Sequence, residues 1–163
     1  MRYCALWLLL CLCQLTAWGQ QRPWVESIVY DPQRDGTFDL GNDTQVYQYH
    51  NDGKGVLYRG EQPALHQSLR VALTGIPLDS SFDGMVRIRF VVNKQGKAGM
   101  FRPLVCNVQG EEVGLEPSSL QALLQAVQQA DGWQVKNIDG KPVHYYQYVL
   151  FRLHYGSIAQ ILP

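Results

Sequence analysis

Between Gly84 and Tyr155 the sequence runs strand, turn, strand, helix, strand, and this order constrains the fold more than any other feature. In Met85–Asn93 the even positions Val86, Ile88, Phe90 and Val92 are apolar, while Arg87, Arg89 and Asn93 alternate with them. A period of two with one apolar face specifies a strand buried on one side and wet on the other. Asn93–Lys97 supplies a hairpin turn, with Gly96 available for the left-handed position. The return strand, Ala98–Cys106, alternates less regularly. Its Pro103 offers no N–H, which predicts an edge strand or a bulge at that point.

Pro117–Asp131 reads as a helix, because Leu120, Leu123, Leu124 and Val127 follow the i, i+3, i+4, i+7 rule. Gly132 is placed to cap its C-terminal end. Ser119, Gln121, Gln125, Gln128 and Gln129 form the other side, read either as a solvated face or as a partner surface. After Trp133 and the turn Asp139-Gly140-Lys141-Pro142, the longest strand is expected over Val143–Tyr155. Its odd positions are apolar except Gln147, and its even positions are also rich in aromatic residues. A strand apolar on both faces is either covered on both sides or offers a docking surface.

Upstream, Glu61–Leu73 is expected as a first helix, with Pro63 in its first turn and Leu65, Leu69, Ala72 and Leu73 on one face. Residues 20–60 read as β-rich: a strand at Val25–Tyr30, turns around Asp35-Gly36 and Gly41–Asp43, and a hairpin of Gln45–His50 with Val56–Arg59. Tyr47, Tyr49 and Tyr58 are then expected to pair across that hairpin. Asp31, Asp35, Asp39, Asn42, Asp43 and Asp52 suit either turn formation or calcium binding. Their spacing lacks the alternating ligand order and terminal glutamate of a calcium loop.

The first 19 residues have the layout of a cleaved secretory signal: Arg2, the apolar run Ala5–Cys13, and small residues in Ala17-Trp18-Gly19. An apolar run of about nine residues is short for a membrane span, which needs about 20. An uncleaved N-terminal anchor is the competing reading. Cleavage would remove Cys4, Cys11 and Cys13 and leave Cys106 alone, as a buried hydrophobe or a free thiol. The chain carries 14 basic and 14 acidic residues, so it has no electrostatic footprint for nucleic acid.

Catalytic signatures are missing. There is no Gly-x-Ser-x-Gly elbow, no His-Glu-x-x-His and no phosphate-cradling glycine loop. His144 and His154 share a strand face, but ten residues at about 3.3 Å separate them by roughly 33 Å, too far to chelate one metal. His50 and His66 have no acidic or thiol partner nearby in sequence. Cys106 with a distant histidine is the remaining nucleophile pair on paper, and nothing local supports it. The expectation is a protein that is not an enzyme and uses no cofactor or metal.

From Gly84 onward the sequence resembles the C-terminal domain of TonB, the periplasmic end of the energy-transducing system of Gram-negative bacteria. Gly84–Gly96 follows that family's G-x-V-x-V-x-F-x-V-x-x-x-G opening, and Leu120–Val127 lies where its L-x-x-A-x-x-A-V helix does. Trp133 with Gly140-Lys141-Pro142-Val143 is similar to its connector into the last strand. Gly60–Leu65 is similar to the G-G-E-x-A-L helix start of Bacteroidetes versions. The chain differs in having Gly75-Ile76-Pro77 in place of a Tyr-Pro, Val135 at the connector proline, and no Pro-rich charge-repeat linker.

The resemblance implies an α+β fold: a β-β-α-β antiparallel sheet with two helices packed on one face, preceded by a β-rich segment. The implied organisation is a signal peptide over 1–19, the β-rich segment over 20–60, the TonB-like domain over 61–155 and a tail over 156–163. It also implies a stand-alone periplasmic module, with secretion as an alternative location. Such a module would bind an envelope protein, such as an outer-membrane receptor segment, by strand addition, with a link to TonB-type transmembrane transport and only indirect contact with the membrane. By resemblance the partner-binding positions are Tyr145, Tyr146, Gln147, Tyr148, Val149, Leu150 and Phe151. The alternative is a structural protein that forms a strand-paired homodimer.

Overall fold

Alternation around Phe90 yields the central strand of the sheet. The computed structural model describes residues 27–36, 38–43, 45–48 and 55–163. The expected signal peptide lies outside those residues, as do Val25, Glu26, Tyr49 and His50. In chain order the elements are α1 (Pro32–Asp35), β1 (Val46–Tyr47), α2 (Glu61–Ala72), β2 (Asp83–Val92) and β3 (Ala98–Asn107). They continue with α3 (Pro117–Gln129), β4 (Lys136–Ile138), β5 (Lys141–His154) and β6 (Ser157–Leu162). The fold is α+β, with a mixed six-stranded sheet and three helices among the described residues.

The main path across the sheet is β1-β5-β2-β3, with β4 and β6 also paired to β5. β2 and β5 are antiparallel from Asp83 opposite His154 to Val92 opposite Tyr145. Residues opposite one another share a face. Val86, Ile88, Phe90 and Val92 therefore join Phe151, Val149, Gln147 and Tyr145 on one side. There α2 contributes Leu65 and Leu69, and α3 contributes Leu123, Ala126 and Val127, to one continuous core. Each such leucine, fully buried, contributes about 1.5–3 kcal/mol. Phe90 lies at the centre of an aromatic chain: its ring centroid is 5.2 Å from Phe101 and 5.0 Å from Trp133, and Trp133 is 5.0 Å from Tyr58.

The irregularity of the return strand is a bulge. Arg89 pairs with Arg102 and Val91 with Gly99, so β3 has one more residue than β2 across this step. Met100 adopts φ 58, the left-handed region that favours glycine. The extra residue resets the side-chain parity. Phe101 joins the Phe90 core, while Met100 packs on the opposite face with Val91 and Tyr146. Pro103 sits on this edge strand opposite Ile88, where no further ladder needs its N–H.

The second face of the sheet is covered in part by an N-terminal strap, of which residues 28–36, 38–43 and 45–46 are described. Ile28, Phe38, Leu40 and Val46 pack on Val91, Met100 and Tyr146. A Cβ on Gly99 would fall 2.2 Å from the Phe38 ring, so the glycine is what admits that ring. Asp35, its side chain 2% exposed, accepts two bonds from Arg102 at 2.7 and 2.8 Å. Paired guanidinium donors of this kind are the strong form of ion pair and fix orientation. They hold the Asp35 carboxyl below its ordinary range.

Several expectations are corrected here. The sheet is mixed rather than antiparallel, because β1 pairs parallel with β5, Val46 opposite His144 and Tyr47 opposite Tyr145. The expected hairpin of Gln45–His50 with Val56–Arg59 therefore gives way, and Tyr58 bridges to Trp133 instead. Residues 27–30 and 38–40 form no strand. Gly132 does not cap α3, whose C-cap is Ala130; a Cβ on Gly132 would strike the Tyr58 ring at 2.5 Å. The expected tail over 156–163 is the strand β6.

Candidate functional site

β5 was singled out for its two apolar faces, and the structure accounts for both. Tyr145, Val149 and Phe151 are 0% exposed and Gln147 1%, all turned to the helices. Tyr146 is buried under the N-terminal strap, while Tyr148 and Leu150 on the same face are half-buried. The two faces are thus covered, the second one only along part of the strand. The Tyr145 hydroxyl donates to the Gln134 carbonyl at 2.9 Å, which anchors the ring inside the core.

The outer edge of β5, the side away from β2, is partly taken by the chain itself. β1 pairs with His144 and Tyr145, and β6 pairs with Leu150 through His154. Between these, the Tyr148 N–H donates to the Gln147 side-chain oxygen at 2.8 Å. The Gln147 side-chain nitrogen has no hydrogen-bond partner among the described residues, although it is buried. Of the seven positions implied by resemblance, Tyr145, Leu150 and Phe151 are therefore already in ladders outside the β2 pairing. A partner strand at those three would have to displace β1 or β6.

That leaves β1 and β6 as the margin on this side, and β6 is the longer of the two. The turn before it, Tyr155-Gly156, has φ 43 and φ 79, the two left-handed positions that a tight hairpin requires. β6 returns along β5 with Ser157 opposite His154, a bulge at Ala159, and Leu162 opposite Leu150. Among the described residues no strand pairs with its other side. Ser-Ile-Ala-Gln-Ile-Leu contains no charge and no proline, so nothing in its own sequence discourages another strand. Ile161 is buried in the main core, and Ser157, Ala159 and Gln160 are exposed.

The opposite margin, β3, differs. It carries Arg102, Pro103 and the Met100 bulge, and its own following loop folds back on its end. The Val113 N–H bonds the Val105 carbonyl at 3.1 Å and the Asn107 N–H bonds Glu111 at 2.9 Å. Proline, charge, bulges and covering loops are the devices that keep a sheet edge from accepting a stranger. The sequence signal for β6 was present in Gly156 and the two isoleucines. It was missed because six residues at a chain end carry too few periods to distinguish a strand from a tail.

His144 is the one buried histidine of the described set. It is 1% exposed, and neither ring nitrogen makes a well-formed hydrogen bond among the described residues. Burial and the nearby Lys94 ammonium push its pKa down, while Asp43 and the backbone of Leu40 and Asp43 oppose them. Lys94 and Asp43 bond each other at 2.6 Å above it. A group whose folded pKa lies below its unfolded value of about 6.5 stabilises the fold above that pH, and the contribution fades as pH falls. Urea midpoints of the wild type are therefore expected to drop between about pH 7 and 5. His144→Phe should flatten that drop, and an unchanged slope in the variant would exclude His144 as its source. The paired aspartates, whose pKa values are lowered, contribute only in the more acidic window.

Other chemistry is sparse. His154 Nδ1 lies 3.4 Å from Asp83, which is bonded by Arg152 at 2.7 Å, an ion cluster at the sheet end in which only His154 is exposed. His66 Nε2 is 3.1 Å from the Pro163 carbonyl. The described aspartates of residues 31–43 serve structure: Asp31 caps α1, Asp35 and Asp43 hold cations, and Asp39 accepts the Gly41 N–H. No three His, Cys, Asp or Glu side chains among the described residues are grouped to hold a metal. A polar groove of about 520 Å³ opens where the strap crosses the β2–β3 turn, lined in part by Asp39, Asn93 and Lys97. Asn93 is consumed there in bonding Gln95, Lys97 and Asp39. None of the described helices is long and apolar enough to cross a membrane.

No family model matches the sequence, and neither a curated protein nor a solved structure matches it.

Proposed function

We propose that the protein is an exported, periplasmic protein-binding module that takes up an extended segment of an envelope partner as an added strand. The resemblance of Gly84–Gly96, Leu120–Val127 and Trp133–Val143 to the TonB C-terminal domain supports this reading, and with it a link to TonB-type transport. The observation that carries it is the contrast between the two margins of the sheet. β3 is defended by proline, charge and a covering loop, whereas β6, although it too carries a bulge, offers a neutral, proline-free backbone edge that no described strand pairs. Backbone groups on such an edge form a template for another chain, and the half-buried side chains beside it supply selectivity.

In this reading the docking line begins at β6 and continues toward Tyr148 and Leu150, the half-buried members of the implied site. The test places a photo-crosslinking residue at Gln160, on β6, and separately at Val108, in the loop after β3. Envelope extracts should give a discrete crosslinked product from position 160 and none from 108. Adding Ile158→Pro, which sets a proline in that edge, should abolish the product while far-UV circular dichroism stays unchanged. Crosslinking that survives Ile158→Pro in a folded protein, or that is equal at both positions, refutes docking at this edge.

A further inference from the structure

We infer that residues 38–43 and 45–47 form an acid-released flap: protonation of His144 lifts them from β5 while the core under the helices stays closed. The strap is held at its two ends by different chemistry. At one end the Arg102 guanidinium grips Asp35. At the other, Lys94 bonds Asp43 at 2.6 Å and β1 pairs with His144 and Tyr145. Gly36, at φ 56, follows the first tether and is placed as the hinge. Beyond it the cover is thin, with Phe38, Leu40 and Val46 packed on Val91, Met100 and Tyr146. That cluster is separate from the main core, so it can open without exposing the contacts of α2 and α3.

His144 sits beneath the second tether. Its ring is 1% exposed, and neither nitrogen makes a well-formed hydrogen bond among the described residues, so a charge placed there is poorly solvated. The groups set toward it are Asp43 and the carbonyls of Leu40 and Asp43 from the strap, and Lys94 from the β2–β3 turn. Lys136 of β4 lies opposite the neighbouring Val143, and Tyr47 of β1 opposite Tyr145. β2 brings Arg89, over the Tyr146 ring at 5.6 Å. Burial and Lys94 outweigh the acceptors and favour the neutral ring while the flap is closed. Opening hydrates the ring, so acid favours the open form below about pH 6.5. Asp35 and Asp43 stay ionised there, because their cationic partners lower their pKa values, and the Arg102 tether therefore holds. His66 and His154 contact the Pro163 carbonyl and Asp83 instead of the strap. The open form uncovers Val91, Met100 and Tyr146 and gives up the β5 edge at His144 and Tyr145 that β1 occupies.

Hydrogen exchange on the full chain, corrected for intrinsic rates, reads the flap through the amides of Phe38 and β1 and the core through those of Ile88 and Phe90. Flap amides should be the less protected at every pH. Between about pH 7 and 5 they should lose protection, by up to about tenfold per pH unit below about 6.5. His144→Phe should abolish that loss. Lys94→Gln, which removes the cation beside the ring, should make it shallower. Asp43→Asn breaks the same ion pair and should not, because it removes the anion that favours the charged ring. Both side chains reach the surface, 28% and 49% exposed, so neither variant disturbs the core. Flap protection equal to that of the core, no loss between about pH 7 and 5, or equal pH slopes in the Lys94 and Asp43 variants would each overturn the inference. None of these results involves a second protein, so they are separate from crosslinking at position 160.

Discussion

Phe90→Ala is expected to destabilise the protein by about 3–5 kcal/mol, the range for truncating a fully buried phenylalanine. Phe90 is 0% exposed and packs tilted against Phe101 and edge-on against Trp133. Trp133 in turn packs edge-on with Tyr58, which bridges back to it through the backbone. The cavity would open where β2, the bulged part of β3 and the connector after α3 converge, and none of these can collapse inward without moving a strand. Urea unfolding measures it. A loss below about 1 kcal/mol would mean that the aromatic chain relaxes into the gap and does not organise the core.

Gly84→Val should be nearly as damaging for a different reason. A Cβ at this position would lie 2.3 Å from the Cys106 carbonyl oxygen and 2.6 Å from the Phe82 ring. The carbonyl belongs to the neighbouring strand, so it cannot step aside as a side-chain tip would. The β2–β3 ladder must open at Gly84 and Asn107, and overpacking of this kind costs about 1–3 kcal/mol, with valine at the upper end. Gly114→Ala is the control, since nothing lies within 4 Å of its added methyl group. Thermal unfolding should fall for Gly84→Val and hold for Gly114→Ala. Equal melting of the two would show that the strand yields freely at Gly84.

Particular elements show how far local pattern carries. β2 was legible because its alternation is strict, and α3 because four apolar residues recur at helical spacing over a stretch without breakers. Pro103 announced an edge strand or a bulge, and β3 is an edge strand whose bulge lies at Met100. That position was not legible, since Met100 in a left-handed conformation breaks a local rule that only the packing of Phe101 and Phe38 compensates. The two-residue β1 falls within the strand expected over Gln45–His50, but its partner could not be read. Its pairing with β5 joins residues about a hundred positions apart, and two residues contain no period.

Gln147 shows the same boundary within the candidate site. In the sequence it is the polar exception on an apolar face. In the fold it is buried, and its side-chain oxygen takes the N–H of the next residue at the strand edge. The apolar even face of β5 left two outcomes open, cover or docking, and the strap decided for cover at Tyr146 through contacts such as Phe38 on Gly99 and Asp35 with Arg102.

By itself, then, the sequence determined the two long helices, the strands β2, β3 and β5, their β-β-α-β order from Gly84 and which face of β2 is buried. Those follow from side-chain periodicity, which is local and repeated many times. Tertiary structure alone decided that β5 is an inner strand, that Ile28, Phe38, Leu40 and Val46 cover part of the second face, and that no described strand pairs with the outer side of β6. Those outcomes depend on which distant backbone groups find each other, and a chain advertises that only where a proline, a bulge or a charge closes an edge.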